Sequence, residues 1–183
     1  MLYPPLNPMP PVPWGYWHPG AFGNVRTHDI HTGVDLYAPV GCPVHAMESG
    51  KVIKIDWFTG KEIGMPWWES TRAIYIEGYT GVFNYGEVQE REHLKVGDTV
   101  NKGDYIGHVI QVLKKYKGRP QSMLHVELYH HGHTDDWGSW EIDKKKPEHL
   151  LDPTSHLLAM SKPCMEDPYK NTSLFYKWKA DND

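Results

Sequence analysis

Leu124-His-Val-Glu-Leu-Tyr129 alternates apolar and polar side chains with a period of two, the pattern of a β-strand with one face buried. Leu124, Val126 and Leu128 fall on one face; His125 and Glu127 share the other. Shorter runs of the same type recur along the chain, at Gly33-Val-Asp-Leu-Tyr37, Gly50-Lys-Val-Ile-Lys-Ile55, Ala73-Ile-Tyr-Ile-Glu77 and Gly81-Val-Phe-Asn-Tyr85. Glycine punctuates them, so the expectation is an all-β protein built on a half-buried antiparallel sheet. Val96-Gly-Asp-Thr-Val-Asn-Lys-Gly-Asp-Tyr-Ile-Gly107 repeats a hydrophobic, Gly-Asp, hydrophobic cadence suited to tight turns between short strands.

The flanks read differently. Residues 1–13 alternate proline with small apolar residues, which predicts an extended arm that acts as a tether or surface wrap rather than core. Phe58 to Ser70 is broken by Gly and Pro and is expected to be a loop with a short helical turn. Asp152-Pro153 ahead of Thr-Ser-His-Leu-Leu-Ala-Met160 predicts a helix start. The chain therefore divides into a proline-rich N-terminal arm (1–19), one β domain (20–158) and a polar-aromatic C-terminal tail (159–183).

Bulk properties exclude several classes. At 183 residues one domain is the default, and no apolar run reaches the ~20 residues a membrane span needs. No membrane partner is expected. A net charge of −4, with basic residues scattered and Lys144-Lys145-Lys146 read as a solvated loop, argues against a nucleic-acid partner. Cys42 and Cys164 are too few for a disulfide framework and are read as free thiols, with a single bridge between them as the alternative. The start of the chain shows no signal peptide, so localisation stays open. Twelve histidines and eight tryptophans are many for this length. Trp14, Trp17, Trp67 and Trp68 are candidates for the rim of a groove that binds glycan or peptide.

The chemistry-bearing residues are His31, Asp35 and His125. Zinc accepts imidazole nitrogen and carboxylate oxygen at about 2.0–2.2 Å, and catalytic sites keep three protein ligands. In an extended segment positions 31 and 35 share a face, and glycine at 33 lets the chain bend toward one ion. His125 stands on a strand whose other face is apolar, a rigid support for a ligand.

These residues lie in an ordered series of segments that resembles the lysostaphin or LytM-type zinc metallopeptidases, which cut peptide cross-links of bacterial cell walls. Phe22-Gly-Asn-Val-Arg26 resembles the opening Phe-Gly-x-Arg element of that family. His31-Thr-Gly-Val-Asp35 running into Ala38-Pro-Val-Gly41 resembles its first metal motif, Val96 to Gly107 its Val-Gly-Asp segment, and Met123-Leu-His125-Val-Glu127 its His-x-His-Phe-Glu. The resemblance covers residues 20 to 158. It implies the lysostaphin-like antiparallel fold, one zinc ion per chain on His31, Asp35 and His125, and peptidoglycan peptides as substrate.

Two positions depart from the pattern. The family places two histidines that do not bind the metal beside the reacting water, and here those positions hold Glu87 and Met123. Methionine cannot donate a hydrogen bond or take a proton. A carboxylate at 87 can act as the general base in place of histidine. The resemblance thus implies a zinc metalloendopeptidase with Glu87 as its catalytic base, and Arg26, Tyr85, Met123 and Glu127 around the ligands or against substrate. Its alternative is a zinc-holding, peptidase-like domain without turnover that serves as a wall-binding or structural component, for example in a phage virion. The arm and the tail are candidate contacts for an assembly partner. His130-His131-Gly-His133 is read as a group of exposed turn histidines that reaches the metal only if the strand end curls back.

Overall fold

The computed structural model describes residues 1–116, 118, 120–133 and 139–161. Its strands are β1 (Asp29–Ile30), β2 (Val34–Tyr37), β3 (Pro43–His45), β4 (Gly50–Thr59), β5 (Thr71–Gly78), β6 (Val82–Glu90), β7 (Thr99–Val100), β8 (Tyr105–Val109), β9 (Met123–Tyr129), β10 (Trp140–Glu141) and β11 (Leu150–Leu151), followed by helix α1 (Thr154–Met160). β1 and β10 form a separate ribbon; the other nine strands make one antiparallel sheet whose spine runs β11-β9-β6-β5-β4-β7. The all-β, antiparallel expectation holds, and each predicted strand is present. No helix among the described residues is long and apolar enough to cross a membrane.

β9 lies at the centre of the site. One of its edges pairs with β6, and the other pairs first with β2 and then with β11. Leu124, Val126 and Leu128 enter the main core with Val34, Leu36, Ile74, Ile76, Phe83 and Tyr85. Burying each such side chain contributes about 1.5–3 kcal/mol, so a one-residue slip that turned them outward is strongly disfavoured. This pins the register Asp35 to His125 on one side and Gly86 to His125 on the other. The opposite face is covered too, by Ala73, Tyr75, Val82, Tyr129 and Leu150, with Phe22, Phe58 and Trp140 packed against them. All seven residues of β9 are buried, more than the half-buried pattern implied.

β6 changes partner midway. Val82 to Gly86 pair with β9, whereas Val88 to Glu90 pair with β8. Between them the ladder with β5 steps from Gly86–Ala73 to Val88–Arg72, so Glu87 is the extra residue of a β-bulge. Its φ is +65°, in the left-handed region.

Three flanking expectations are corrected in detail. The N-terminal arm is extended, but it is not merely a wrap: Leu6 is fully buried and, with Val12, belongs to the main core. Backbone bonds fasten it, Tyr3 N to Met47 O at 2.7 Å and His45 N to Pro5 O at 2.9 Å, because a proline-rich strand still offers carbonyls and apolar side chains. Phe58 belongs to β4, and the break follows it as a 3₁₀ turn at Lys61–Ile63. Pro153 stands one position ahead of α1, where Asp152 Oδ1 accepts from Thr154 N at 2.8 Å. Cys42 is a free thiol; Cys164 and the tail beyond Ser161 lie outside the described residues.

Candidate metal centre

β2 and β9 bring Asp35 and His125 side by side as cross-strand partners, and the turn before β2 adds His31. Three atoms converge: His31 Nε2 and Asp35 Oδ1 are 3.1 Å apart, His31 Nε2 and His125 Nδ1 3.2 Å, and His125 Nδ1 and Asp35 Oδ1 2.8 Å. All three residues are buried, and among the described residues they are the one group of three with the geometry to hold a metal ion.

The remaining atoms of the trio fix what those three present. His31 Nδ1 lies 2.9 Å from Ala21 O, an atom that can only accept, so that nitrogen carries the ring proton and Nε2 keeps its lone pair. His125 Nε2 lies 3.2 Å from Glu127 Oε1, an ion-pair contact without hydrogen-bond alignment, and the carboxylate's charge favours a proton on that side and Nδ1 as the metal donor. Asp35 Oδ2 accepts from Arg26 Nη2 at 3.0 Å, which leaves Oδ1 for the centre. Three donor atoms thus converge inside the protein around a position suited to a cation, either a metal ion or the proton of His125 Nδ1. A tetrahedral ion at about 2.0–2.1 Å from each donor sets donor separations near 3.3 Å, and the observed 2.8–3.2 Å is close to that triangle. The donor set, two imidazoles and one carboxylate, fits zinc.

Electrostatics agree. Burial opposes a charge on His125, yet hydrogen bonds and attraction from Asp35 and Glu127 push its pKa up to about 10. In the metal-free chain a proton on Nδ1 does the work of the cation. Asp35 is likewise opposed by burial, but the two histidines hold its carboxyl well below the usual range. His31 is pushed down, chiefly by burial.

Behind His125, Glu127 is held from all sides. Thr32 Oγ1 donates to its Oε1 at 2.5 Å, and Asn84 Nδ2 and Tyr129 Oη donate to its Oε2 at 2.6 and 2.8 Å. Burial raises its pKa, but His125 and these donors outweigh that and lower it to about 2. An ionised, fully bonded carboxylate orients the imidazole. Gly33 makes the close approach possible, since a Cβ there would lie 2.5 Å from Val126 O and 2.6 Å from His125 Nε2.

The other expected residues divide. Arg26 grips Asp35 and also reaches Pro19 O at 3.2 Å. Met123 is buried on β9 two residues before His125, on the same face. Glu87 is buried in the bulge, one residue beyond the Gly86–His125 pair, and does not belong to the three-residue cluster. Tyr85 is a correction: it lies on the core face, fully buried, and its hydroxyl accepts from Met47 N at 2.8 Å. An offset of one from Gly86 sends it to the opposite side of the sheet. His130 and His131 are exposed, while His133 stacks on His149 at 4.2 Å; none joins the centre.

Thr32, Asn84 and Phe58 were not anticipated. Phe58 packs its ring 5.2 Å from that of His125, and a Cβ on Gly86 would strike it at 2.7 Å. Thr32 and Asn84 carried a faint signal, one beside His31 and the other an even offset from Gly86, which becomes informative only once the β6–β9 register is known.

Comparison with known proteins places this architecture. Lysostaphin of Staphylococcus staphylolyticus is 32% identical over 81 residues, which are 43% of this chain and 15% of that protein. The glycyl-glycine endopeptidase ALE-1 of Staphylococcus capitis is 31% identical over 80 residues, 42% of this chain and 19% of that protein. These matches span less than a fifth of the curated relatives. Among solved structures, the antimicrobial peptidase lysostaphin from Staphylococcus simulans shares the fold, with a TM-score of 0.54 and 21% identity over 86% of this chain and 53% of that one. Residues 29–137, more than half of the chain and spanning all three converging side chains, match the family model described as Peptidase family M23, and the chain belongs to that family.

Proposed function

We propose that the chain is a zinc-dependent endopeptidase that hydrolyses peptide bonds in the stems or cross-bridges of bacterial peptidoglycan. The observation that carries this reading is the convergence of three potential donor atoms, His31 Nε2, Asp35 Oδ1 and His125 Nδ1, within 2.8–3.2 Å. Membership of peptidase family M23 supports the reaction class, and the kinship with lysostaphin and a glycyl-glycine endopeptidase supports the substrate class. The same chemistry serves a cell-wall enzyme or a wall-degrading component of a phage tail.

His31, Asp35 and His125 hold the ion; Arg26 fixes Asp35, and Glu127 with Thr32, Asn84 and Tyr129 fixes His125. When bound, zinc supplies a Lewis acid for the scissile carbonyl and acidifies water toward a pKa of about 7. Glu87 takes the proton of the attacking water and passes it to the leaving amine. Met123, on the same face as His125, offers no proton and leaves that side apolar. Buried carboxylate chemistry beside the Gly86–His125 pair supports Glu87 as the base.

The test is release of new amines from purified sacculi or synthetic stem peptides by the zinc-loaded chain, beside Glu87→Gln. Wild type is expected to release them, and Glu87→Gln to be slower by about 10²–10⁴-fold at unchanged zinc content. Equal rates would remove Glu87 from the mechanism. Bound zinc with no release by wild type would favour the non-catalytic, wall-binding alternative.

A further inference from the structure

A second feature lies next to the metal centre and takes no part in it. Trp14, Tyr16 and Trp17 stand at 59%, 79% and 52% exposure, three large rings that no hydrophobic core claims. They pack edge to face on one another, Trp14 to Trp17 at 5.6 Å and Tyr16 to Trp17 at 5.2 Å between centroids. The backbone that carries the rings is tied down by hydrogen bonds. His18 N donates to Gly15 O, Ala21 N to His18 O, and Asn24 Nδ2 to Tyr16 O at 2.7 Å.

The same turn leads straight into the site. Ala21 O accepts from the His31 ring, Gly20 O accepts from Asp35 N, and Pro19 O accepts from the Arg26 side chain that grips Asp35. Ala21 is four positions after Trp17, so the backbone of Trp17 lies within about 14 Å of the carbonyl that touches the His31 ring. Exposed aromatic area of this kind, on a tied-down backbone and contiguous with a reaction centre, is a binding surface rather than leftover core.

Charge selects its occupant. No Asp, Glu, Lys or Arg occurs before Arg26, and Arg26 is occupied by Asp35. A stem peptide, with its carboxylates and amines, finds no charged side chain to pair with in the segment that carries these rings. A pyranose ring fits: its C–H face is apolar and meets the electron-rich face of an indole, while its hydroxyl and acetamido groups stay in water. We infer that Trp14, Tyr16 and Trp17 form a subsite for an N-acetylated sugar of the glycan strand, which holds the strand while its attached peptide reaches the metal centre. This rests on the peptidoglycan substrate proposed above.

Binding is tested apart from hydrolysis, with a β-1,4-linked tetramer of N-acetylglucosamine as the probe and quenching of tryptophan fluorescence as the readout. The full chain is measured both zinc-loaded and after chelation, beside a charged stem peptide. Saturable quenching by the tetramer in both forms is expected. It should weaken by about tenfold or more when Trp14→Ala and Trp17→Ala are combined, and stay unchanged in Trp57→Ala, an exposed indole elsewhere. Circular dichroism checks the fold of each variant. Should the double alanine variant unfold, combined Trp14→Phe and Trp17→Phe identify the quenched indoles. Quenching that persists undiminished in the alanine or phenylalanine pair, no quenching in wild type, or tighter binding of the stem peptide through the same indoles would each overturn the subsite. A chain that binds the sugar but releases no amine would sink the peptidase reading alone.

Discussion

On the β2–β9 side of the site, three donors meet within 2.8–3.2 Å and each is braced by a second group: Ala21 O behind His31, Arg26 behind Asp35, Glu127 behind His125. On the β6 side stand a glycine, the ring of Phe58 over His125, and a buried glutamate in a bulge at φ +65°. The first wall is made by regular strand geometry, in which cross-strand pairing alone delivers Asp35 to His125. The second depends on an irregularity. A metal can be held by the first wall whether or not the second is equipped for catalysis.

The largest effect separates the walls outright. His125→Ala removes one donor and leaves Asp35 and Glu127 facing a void, so zinc content measured by elemental analysis should fall from about one per chain to none. Hydrolysis should disappear with it. Removing one partner of a buried charged pair costs about 3–5 kcal/mol, so the variant should also melt earlier. Unchanged zinc content would break the assignment of the first wall.

The next effect tests the bracing alone. Glu127→Gln keeps shape and packing but removes the charge behind His125 Nε2, and zinc affinity should fall about 10–100-fold in a competition assay with a chromogenic chelator. A change smaller than twofold would mean that Thr32, Asn84 and Tyr129 hold that side chain for stability only.

The two walls were unequally visible in the sequence. Period-two alternation in Leu124–Tyr129 is a local property, and it named both the strand and the face that carries His125. The three converging residues, His31, Asp35 and His125, were visible through spacing and resemblance. The partners of Glu127 were not, since Thr32, Asn84 and Tyr129 come together through register between strands far apart in the chain. Tyr85 was misplaced for a related reason: its proximity to the site in sequence says nothing of which side of the sheet it takes. Leu6 hid in a proline-rich arm whose composition suggests a wrap, although one apolar side chain there is enough to enter a core.

Titration of the metal-free chain gives a smaller effect, with a definite sign. His125 is raised from 6.5 to about 10, so its stabilisation is fully present below pH 6.5 and is lost as pH rises toward 10. Glu127 is lowered from 4.5 to about 2, so its stabilisation is fully present above pH 4.5 and is lost as pH falls toward 2. Asp35, held well below 3.8, acts in the same sense as Glu127. His31, lowered by burial, removes stability as pH falls below 6.5. Melting temperature after chelation should therefore peak near pH 6 to 6.5, between these limits. Zinc should extend the plateau above pH 6.5 by replacing the proton on His125. A metal-free chain that keeps gaining stability up to pH 9 would contradict the braced, protonated His125.

The smallest effect sharpens the second wall. Glu87→Ala and Glu87→Gly both delete the carboxylate and its contacts, so whatever Glu87 bonds is lost equally in the two. They differ in backbone cost: alanine keeps the penalty of a left-handed φ, about 1–2 kcal/mol for a residue with a Cβ, while glycine adopts φ +65° freely. Glu87→Gly should therefore be the more stable of the pair by about 1 kcal/mol in urea unfolding. If instead the two are equal, the bulge has relaxed in the variants, and the conformation is one that the glutamate itself imposes through its buried carboxylate. A left-handed backbone that carries a buried carboxyl group, at the point where β6 leaves β9 for β8, is the kind of strained position that clusters at reaction sites, and it supports a role for the Glu87 side chain beyond the strand it interrupts.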